Sequence, residues 1–226
     1  MKTAMILAAG RGERLRPLTW EKPKCLTDIH SLPLLGIHLK HLADSGFHKI
    51  VVNHAYLGSL IRDYVKNFHS QGMEVLLSPE PVGGLETGGG IRNALPLLGD
   101  EPFVAVNADI VTDFDYACLP SISPEKAHIV LVEKNQMPGK GDFDLSPSGL
   151  ASNNPKRYTY AGIACYHPAM FYQHPIGRYS VTPILRQLAD NHCLTAQLHK
   201  GKWMDIGCLQ GLKAAQTMML KSNDRC

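Results

Sequence analysis

At 226 residues, with 44% hydrophobic and 19% charged residues, the chain has the size and composition of one globular domain with a real core. Its formal net charge of +3 is small and dispersed, which excludes the strongly basic surface of a nucleic-acid-binding or anionic-membrane-binding protein. The six cysteines include no C-x-x-C pair, which excludes a zinc ribbon or a redox pair.

The first half of the chain alternates short apolar runs with amphipathic segments. The runs predict strands over 4–9, 49–53, 73–77 and 103–108. Between them, the spacing of apolar residues predicts helices over 34–45 and 57–68, and a third helix over 87–98 opens with three glycines. His38 and His41 share one face of the first helix without a carboxylate partner, so we expect surface histidines there.

The regular alternation of predicted strands and helices ends after Asp109. Predicted strands cover 128–132, 160–166 and 194–198, and Pro147-Ser148-Gly149 indicates the turn of a hairpin over 142–152. Thr182 is the predicted N-cap of a helix that has Pro183 at its first position, and a last helix covers 209–220.

This succession predicts an α/β fold, namely a Rossmann-like, mixed but mostly parallel sheet with helices on both faces. We expect a single domain over residues 1–226. No apolar run approaches the roughly 18 residues of a membrane span, strand residues begin near Met1, and the scattered cysteines fit reduced thiols. A cytoplasmic protein without a membrane or nucleic-acid partner is therefore expected.

The most informative stretch follows the first strand. Gly10 and Gly12 let the backbone turn tightly, and consecutive N–H groups in such a turn form an anion-binding nest. Five cations lie in the same short loop: Arg11, Arg14, Arg16, Lys22 and Lys24. The loop lacks the Gly-Lys-Ser/Thr of a Walker motif and the third glycine of a dinucleotide fingerprint. It predicts a pocket for a triphosphate, and the alternative is a structural turn with a solvated basic loop.

Two further stretches should meet this loop beyond the carboxyl ends of the strands. Leu85-Glu-Thr is followed by Gly88, Gly89 and Gly90, which would let a nucleobase or ribose approach the free N–H groups at a helix start. Close packing of that helix is the alternative reason for glycine. Asp109 directly follows the fourth strand and presents a carboxylate at the same edge.

The string L-A-A-G-x-G-x-R-x-x-P-x-T, followed by P-K, resembles the signature of the sugar-1-phosphate nucleotidyltransferases. The resemblance covers almost the whole chain and includes Asn107-Ala-Asp109 and Trp203-Met-Asp205-Ile-Gly207. Cys25 and Ala108 depart from a common proline and a common glycine, but neither change removes a charge. The resemblance implies the nucleotide-diphospho-sugar transferase type of fold, with a nucleotide-binding half over 1–115 and a sugar-binding half with a C-terminal helix over 116–226.

The resemblance also implies roles for individual residues. The catalytic set is Arg14, Lys24, Asp109 and Asp205, of which Asp109 and Asp205 would bind Mg²⁺. The nucleotide would be bound by Leu7, Ala8, Ala9, Gly10, Gly12, Glu80, Thr87, Gly88 and Asn107. The sugar would be bound by Asn53, His54, Gly141, Asp142, Asn154, Tyr160 and Gly162.

The implied reaction joins a nucleoside triphosphate to a sugar 1-phosphate and releases pyrophosphate. Several stretches, among them Val52-Asn-His-Ala-Tyr-Leu-Gly58, resemble most the members that use UTP and N-acetylmuramate 1-phosphate in bacterial cell-wall (peptidoglycan) recycling. Lys140 or Arg157 could then meet the lactyl carboxylate. Guanylyl transfer to mannose 1-phosphate and a non-catalytic nucleotide-sugar-binding module remain the alternatives. We expect a monomer or a small homo-oligomer.

Overall fold

The computed structural model describes residues 2–68, 72–133 and 141–223, with side chains as far as residue 217. In chain order, the first elements are β1 (Thr3–Leu7), β2 (Asp28–Ile29), β3 (Leu32–Pro33), α1 (Leu34–Asp44), β4 (Lys49–His54), α2 (Gly58–Asn67), β5 (Glu74–Pro79), α3 (Glu86–Leu98) and β6 (Phe103–Asn107). They are followed by β7 (Ile110–Thr112), β8 (Ala127–Glu133), β9 (Asp144–Leu145), β10 (Ala151–Ser152), β11 (Tyr158–Tyr166), α4 (Ala169–Tyr172), α5 (Thr182–Asp190), β12 (Leu194–Leu198), β13 (Trp203–Asp205) and α6 (Leu209–Asn223).

Seven strands form the central sheet in the order β12-β8-β11-β6-β1-β4-β5. β1 pairs in parallel with β4 and β6, and the pairs β4–β5 and β12–β8 are also parallel. β11 is antiparallel to both of its neighbours. The predicted mixed, mostly parallel sheet is confirmed. Strands from residues 1–115 form one side of the sheet, and those from 116–226 form the other.

Helices cover both faces of the sheet because successive strand side chains point to opposite sides. Ile6 and Val52 belong to the core under α1 and α2, together with Leu39 and Ile61. Met5 belongs to the opposite core, under α3 and α5. The strands buried on both faces therefore read as continuous apolar runs, as parallel strands do.

Short elements that the sequence did not predict build a third layer over α1. β7 pairs in antiparallel register with β13, so that Ile110 lies opposite Asp205. Val111 of β7 and Ile206, directly after β13, pack with Leu34 of α1 and Leu212 of α6. Each strand has only three residues, too few for a period-2 pattern to be recognised.

Two local predictions were wrong for reasons visible in the packing. His38 is only 2% exposed, because α1 lies between the sheet and the β7–β13 ribbon and has no free face there. His41 is half-buried, with its ring 4.8 Å from that of Tyr116. Thr182 is the first residue of α5 and not its N-cap; its own N–H donates to the Ser180 hydroxyl, at 3.2 Å.

Burial of His38 gives a testable pH dependence of stability. Burial and the neighbouring His41 lower the pKa of His38 from 6.5 to about 4. Between these values the unfolded chain binds a proton that the folded chain excludes. The contribution of His38 to the free energy of unfolding is therefore fully present above pH ~6.5. It is lost as the pH falls towards ~4, by about 3 kcal/mol in total.

We expect His38→Asn to flatten the pH dependence of the free energy of unfolding between pH 6.5 and 4, whatever its effect at pH 7. Urea unfolding of both proteins across this range, in the presence of a chelator, measures the difference. Parallel curves would show that His38 does not exclude the proton.

No helix in the described part of the chain is long and apolar enough to cross a membrane.

Candidate functional site

A cleft of about 640 Å³ opens at the carboxyl ends of β1, β4 and β6, the position where open α/β sheets bind ligands. The described residues that line it come from several separate stretches of the chain. They are Leu7, Ala9, Gly10, Arg11, Gly12, Glu13, Arg14, Lys24, Asn53, Glu80, Gly83, Gly84, Glu86, Thr87, Asn107, Asp109, Arg178 and Gly207. The three sequence stretches predicted to meet do meet here.

The loop after β1 is held closed around Gly12. This residue has a left-handed backbone, with φ 62°, and its carbonyl accepts a hydrogen bond from the Thr19 hydroxyl at 2.8 Å. A Cβ at position 12 would lie 2.9 Å from Cβ of Lys24. Glycine is needed here both for the backbone conformation and because Lys24 packs directly against the loop.

Lys24 and Asp109 form the central ion pair of the cleft. Lys24 Nζ donates to Asp109 Oδ2 at 2.6 Å, with the two side chains 11% and 33% exposed. Lys24 is held by a short 3-10 helix, Lys24–Leu26, whereas Asp109 follows β6. The sequence predicted both as catalytic, and the structure brings them into contact with each other.

The β7–β13 ribbon brings Asp205 beside Asp109. Asp205 pairs with Ile110, and the N–H of Ile206 donates to the carbonyl of Asp109 at 2.7 Å. Asp205 Oδ1 accepts the N–H of Gly207, also at 2.7 Å. The two carboxylates predicted to bind one metal ion thus stand on neighbouring backbone positions. Among residues 2–68, 72–133 and 141–217, no group of three or more His, Cys, Asp or Glu residues is arranged so that it could hold a metal ion.

Arg14 lies against the same ribbon. A Cβ at Gly207 would stand 2.6 Å from Nη2 of Arg14 and 2.8 Å from Oδ1 of Asp205. The guanidinium and the carboxylate therefore border the same small space, which is open because residue 207 is glycine. This glycine was quoted as part of a motif but was not predicted as a site residue.

We expect Gly207→Ala to lower activity by ~10-fold or more while changing stability little. The added methyl group would displace the flexible end of Arg14, which can swing into solvent, and the cation that the resemblance makes catalytic would then be out of position. Turnover and thermal midpoint, measured together, test this. Unchanged turnover would show that the position of Arg14 next to residue 207 is irrelevant to activity.

The side of the cleft opposite Asp109 is built by Asn53 and Glu80. Asn53 Oδ1 accepts the N–H of Ala8 at 2.6 Å, and its Nδ2 donates to Glu80 Oε1 at 2.6 Å. Glu80 Oε2 accepts the N–H of Leu85 at 2.7 Å. Burial raises the pKa of Glu80, against the lowering effect of these two hydrogen bonds. Ala8 itself is buried and contributes only its N–H to this arrangement.

The glycines that open α3 serve packing at two positions. A Cβ at Gly88 would clash with the ring of Tyr179, and one at Gly89 with the carbonyl of Gly177. Gly88, predicted to bind nucleotide, is buried and outside the cleft lining, so the packing alternative explains it. Thr87 does line the cleft.

Besides Gly207, several cleft residues were missed from the sequence, among them Gly83, Gly84, Glu86 and Arg178. Gly83 and Gly84 both have positive φ, at 105° and 74°, in the turn after β5. Glu86 and Arg178 form an ion pair, with Arg178 Nε 3.1 Å from Glu86 Oε1. The adjacent glycines were a usable signal for the turn, but nothing in the sequence indicated that the loop around Arg178 folds against α3.

Most predicted sugar-binding residues lie outside the cleft lining. Gly141 and Asp142 abut β11, where Asp142 Oδ2 accepts the N–H of Tyr160 at 2.9 Å. Asn154 is exposed, with its carbonyl accepting the Ser152 hydroxyl at 3.0 Å. His54 is buried against Gly58 at the start of α2.

Gly162 has an indirect relation to the cleft. It lies where the β8–β11 register shifts, with φ 76°, and a Cβ there would be 2.7 Å from Nδ2 of Asn107. The glycine makes room for this cleft side chain. Of the two cations suggested for a lactyl carboxylate, Arg157 pairs with Asp144 at 2.5 Å and does not line the cleft. Lys140 lies outside the described residues.

Comparison with known proteins agrees with this geometry. The family model described as nucleotidyl transferase matches residues 3–141. The chain is 43% identical to the N-acetylmuramate alpha-1-phosphate uridylyltransferase of Neisseria meningitidis serogroup B, covering 95% of this chain and 97% of the relative. It is 30% identical to the Caulobacter vibrioides protein of the same name, covering 98% of both.

More distant proteins share the architecture. The Danio rerio mannose-1-phosphate guanylyltransferase catalytic subunit beta is 29% identical, over 97% of this chain and 65% of the relative. A UDP-glucose pyrophosphorylase solved with UDP-glucose superposes with a TM-score of 0.78 at 18% identity, covering 98% of this chain and 99% of that one. At this identity the likeness is one of fold.

Proposed function

This chain belongs to the nucleotidyl transferase family, and on that basis we propose that it transfers a uridylyl group from UTP to N-acetylmuramate 1-phosphate, releasing pyrophosphate. The observation that carries the proposal is the meeting of Arg14, Lys24 and Asp109 with the glycine loop in one cleft, with Asp205 held on the strand beside Asp109. The choice of substrates is supported by two relatives of that name, each matched over nearly its full length.

The protein's task in this reaction is positioning and charge neutralisation. A sugar 1-phosphate is already anionic at neutral pH, so its oxygen attacks the α-phosphorus without a general base. Backbone N–H groups around Gly10 and Gly12 hold the polyphosphate. Arg14 and Lys24 stabilise the negative charge that accumulates on the departing pyrophosphate.

A divalent cation, proposed to be Mg²⁺, suits the two carboxylates. Asp109 and Asp205 offer hard oxygen ligands from neighbouring positions, and Mg²⁺ in nucleotide sites commonly uses one or two carboxylates together with substrate phosphates. Asp109 already has one cationic partner, the ammonium of Lys24, at 2.6 Å. When bound, the ion would withdraw charge from the phosphate oxygens.

The division into a nucleotide-binding half over 1–115 and a sugar-binding half over 116–226 is part of the proposal. The sugar would enter beside Asn107 and Gly162, where the two halves of the sheet adjoin between β6 and β11. Arg178, from the second half, lines the cleft and is a better placed cation for an acidic sugar than Arg157.

Guanylyl transfer to mannose 1-phosphate is the second candidate, favoured by the relatives of that name, one of them at 29% identity. Pyrophosphate release, measured over a grid of nucleoside triphosphates and sugar 1-phosphates, separates the two. We expect release with UTP and N-acetylmuramate 1-phosphate, and its loss on chelation of divalent metal. Release with GTP and mannose 1-phosphate alone would replace the first candidate with the second, and none with any pair would overturn both.

A further inference from the structure

We propose that Asn53 and Glu80 are positioning residues that together fix the loop after β1 against the turn at Gly83 and Gly84. This inference rests on the proposed function, since it concerns how the nucleotide site is held in shape. It assigns Asn53 to the nucleotide side and not to the sugar, and it makes Glu80 a support for the backbone of the nucleotide site.

Asn53 connects the end of β4 to the start of the phosphate loop. In the parallel pairing of β1 and β4 it lies level with Leu7, the last residue of β1. Its Oδ1 accepts the N–H of Ala8, the first residue after β1. Asn53 is only 3% exposed, so this bond is made where water cannot replace it, and losing it would leave a buried donor unsatisfied.

Glu80 connects the end of β5 to the start of α3. Its N–H donates to the carbonyl of His54 at 2.8 Å, which anchors it beside β4. One carboxylate oxygen accepts from Asn53 and the other from the N–H of Leu85, which closes the intervening turn. The turn exposes Gly83 and Gly84 to the cleft, with their backbone available to a planar base.

Gly90 supplies the space for this pair. A Cβ there would lie 2.5 Å from Oε1 of Glu80 and 2.9 Å from Nδ2 of Asn53. The last of the three glycines in α3 therefore accommodates the two side chains between helix and strand. The hydrogen-bonded pair Asn53–Glu80 therefore joins α3 and β4 to the loop after β1 and to the turn at Gly83 and Gly84.

The donors and acceptors of the pair can be tested by exchanging the amide and the carboxylate between positions 53 and 80. In Glu80→Gln the new amide nitrogen must face either Asn53 Nδ2 or the Leu85 N–H, both of which are donors. In Asn53→Asp a carboxylate oxygen must face Oε1 of Glu80. The double variant restores all three bonds. The carboxylate then introduced at position 53 can accept from Ala8 and from a glutamine amide at position 80, whose own oxygen still accepts from Leu85.

The experiment compares Asn53→Asp, Glu80→Gln and the double variant in pyrophosphate release with UTP. We expect each single variant to raise the KM for UTP by ~10-fold or more, with a smaller change in the KM for the sugar phosphate. Asn53→Asp should recover as the pH falls from about 8 to about 6, because two facing carboxylates can share a proton. The double variant should lie within ~3-fold of wild type at every pH, because its hydrogen bonds are restored.

Two controls isolate the positioning role. Asn93→Asp removes bonds from the same helix to Ser78 and Pro79, outside the cleft, and should lower stability without changing the KM for UTP. The adjacent titratable group is His54, whose pKa is lowered by burial and by Arg62. His54 is present in every variant, so any pH dependence that it causes appears in the double variant too and can be subtracted from that of Asn53→Asp.

A double variant as impaired as the worse single variant would overturn the proposal, since the two residues would then not act through the hydrogen bond that joins them. So would a loss confined to the KM for the sugar phosphate. If the wild-type protein releases no pyrophosphate with any pair, the proposed function fails instead. In that case, UTP binding measured by calorimetry on the same variants tests the Asn53–Glu80 pair. We expect both single variants to bind UTP more weakly than the wild-type protein and the double variant.

Discussion

Replacing Asp109 with asparagine is expected to lower turnover by ~10²-fold or more without unfolding the protein. Asparagine keeps the shape of the side chain but removes the charge that pairs with Lys24 at 2.6 Å and that would hold a divalent ion together with Asp205. Losing one such preorganised charge costs on the order of 10²-fold in rate. Steady-state pyrophosphate release over a series of Mg²⁺ concentrations measures both the loss and any weakened metal requirement.

The matched control for this variant is Asp115→Asn, on the other side of the short strand β7. Asp115 accepts the N–H of Ala117 at 2.9 Å at the start of a 3-10 helix, a bond that an asparagine oxygen can keep. We expect wild-type turnover from this variant. Wild-type turnover from Asp109→Asn as well would remove Asp109 from the mechanism, and with it the proposed metal pair.

Lys24→Ala is expected to lower kcat/KM for the nucleotide by ~10² to 10³-fold. Lys24 is 9% exposed, packs against Gly12 and directs its ammonium into the cleft at Asp109, so no surface cation can replace it. The variant should keep its dependence on Mg²⁺, because both carboxylates remain. This retained dependence distinguishes it from Asp109→Asn.

Lys22→Ala provides the comparison for a cation of the same loop. Lys22 pairs with Asp28 at 2.5 Å on the surface, with side chains 45% and 51% exposed. Exposed pairs contribute about 0–1 kcal/mol, so activity and stability should both stay close to wild type. Equal losses from both lysine variants would mean that the net charge of the loop matters and the position of Lys24 does not.

Much of the fold follows from local patterns in the sequence. The strands at 49–53 and 194–198 and the helix at 34–45 were predicted within a residue or so of their observed ends. These segments are long enough to show their period and are bounded by turn residues such as Gly46. The short β7 and β13 show no period, so the ribbon that joins Asp109 to Asp205 was not predictable as structure.

The site residues also divide into those that a local sequence pattern identifies and those whose contacts depend on the tertiary structure. Lys24, Asp109 and the glycine loop were identified from a contiguous motif and from the resemblance that it carries, and the structure places them together. The contacts of Asn53 and Arg178 could not be predicted from the sequence, because they involve elements distant in the chain. Gly88 shows a further limit, since a run of glycines has the same sequence whether it meets a ligand or an aromatic ring.

By itself the sequence determined the type of sheet, the position of the phosphate loop and the identity of the charged groups, because each depends on residue type and near spacing. Only the tertiary structure decided which groups satisfy one another: Lys24 on Asp109, Asn53 between Ala8 and Glu80, and Arg14 in the space beside Gly207. The physical reason is that buried polar groups must find partners in three dimensions, and those partners come from any part of the chain that packing brings near.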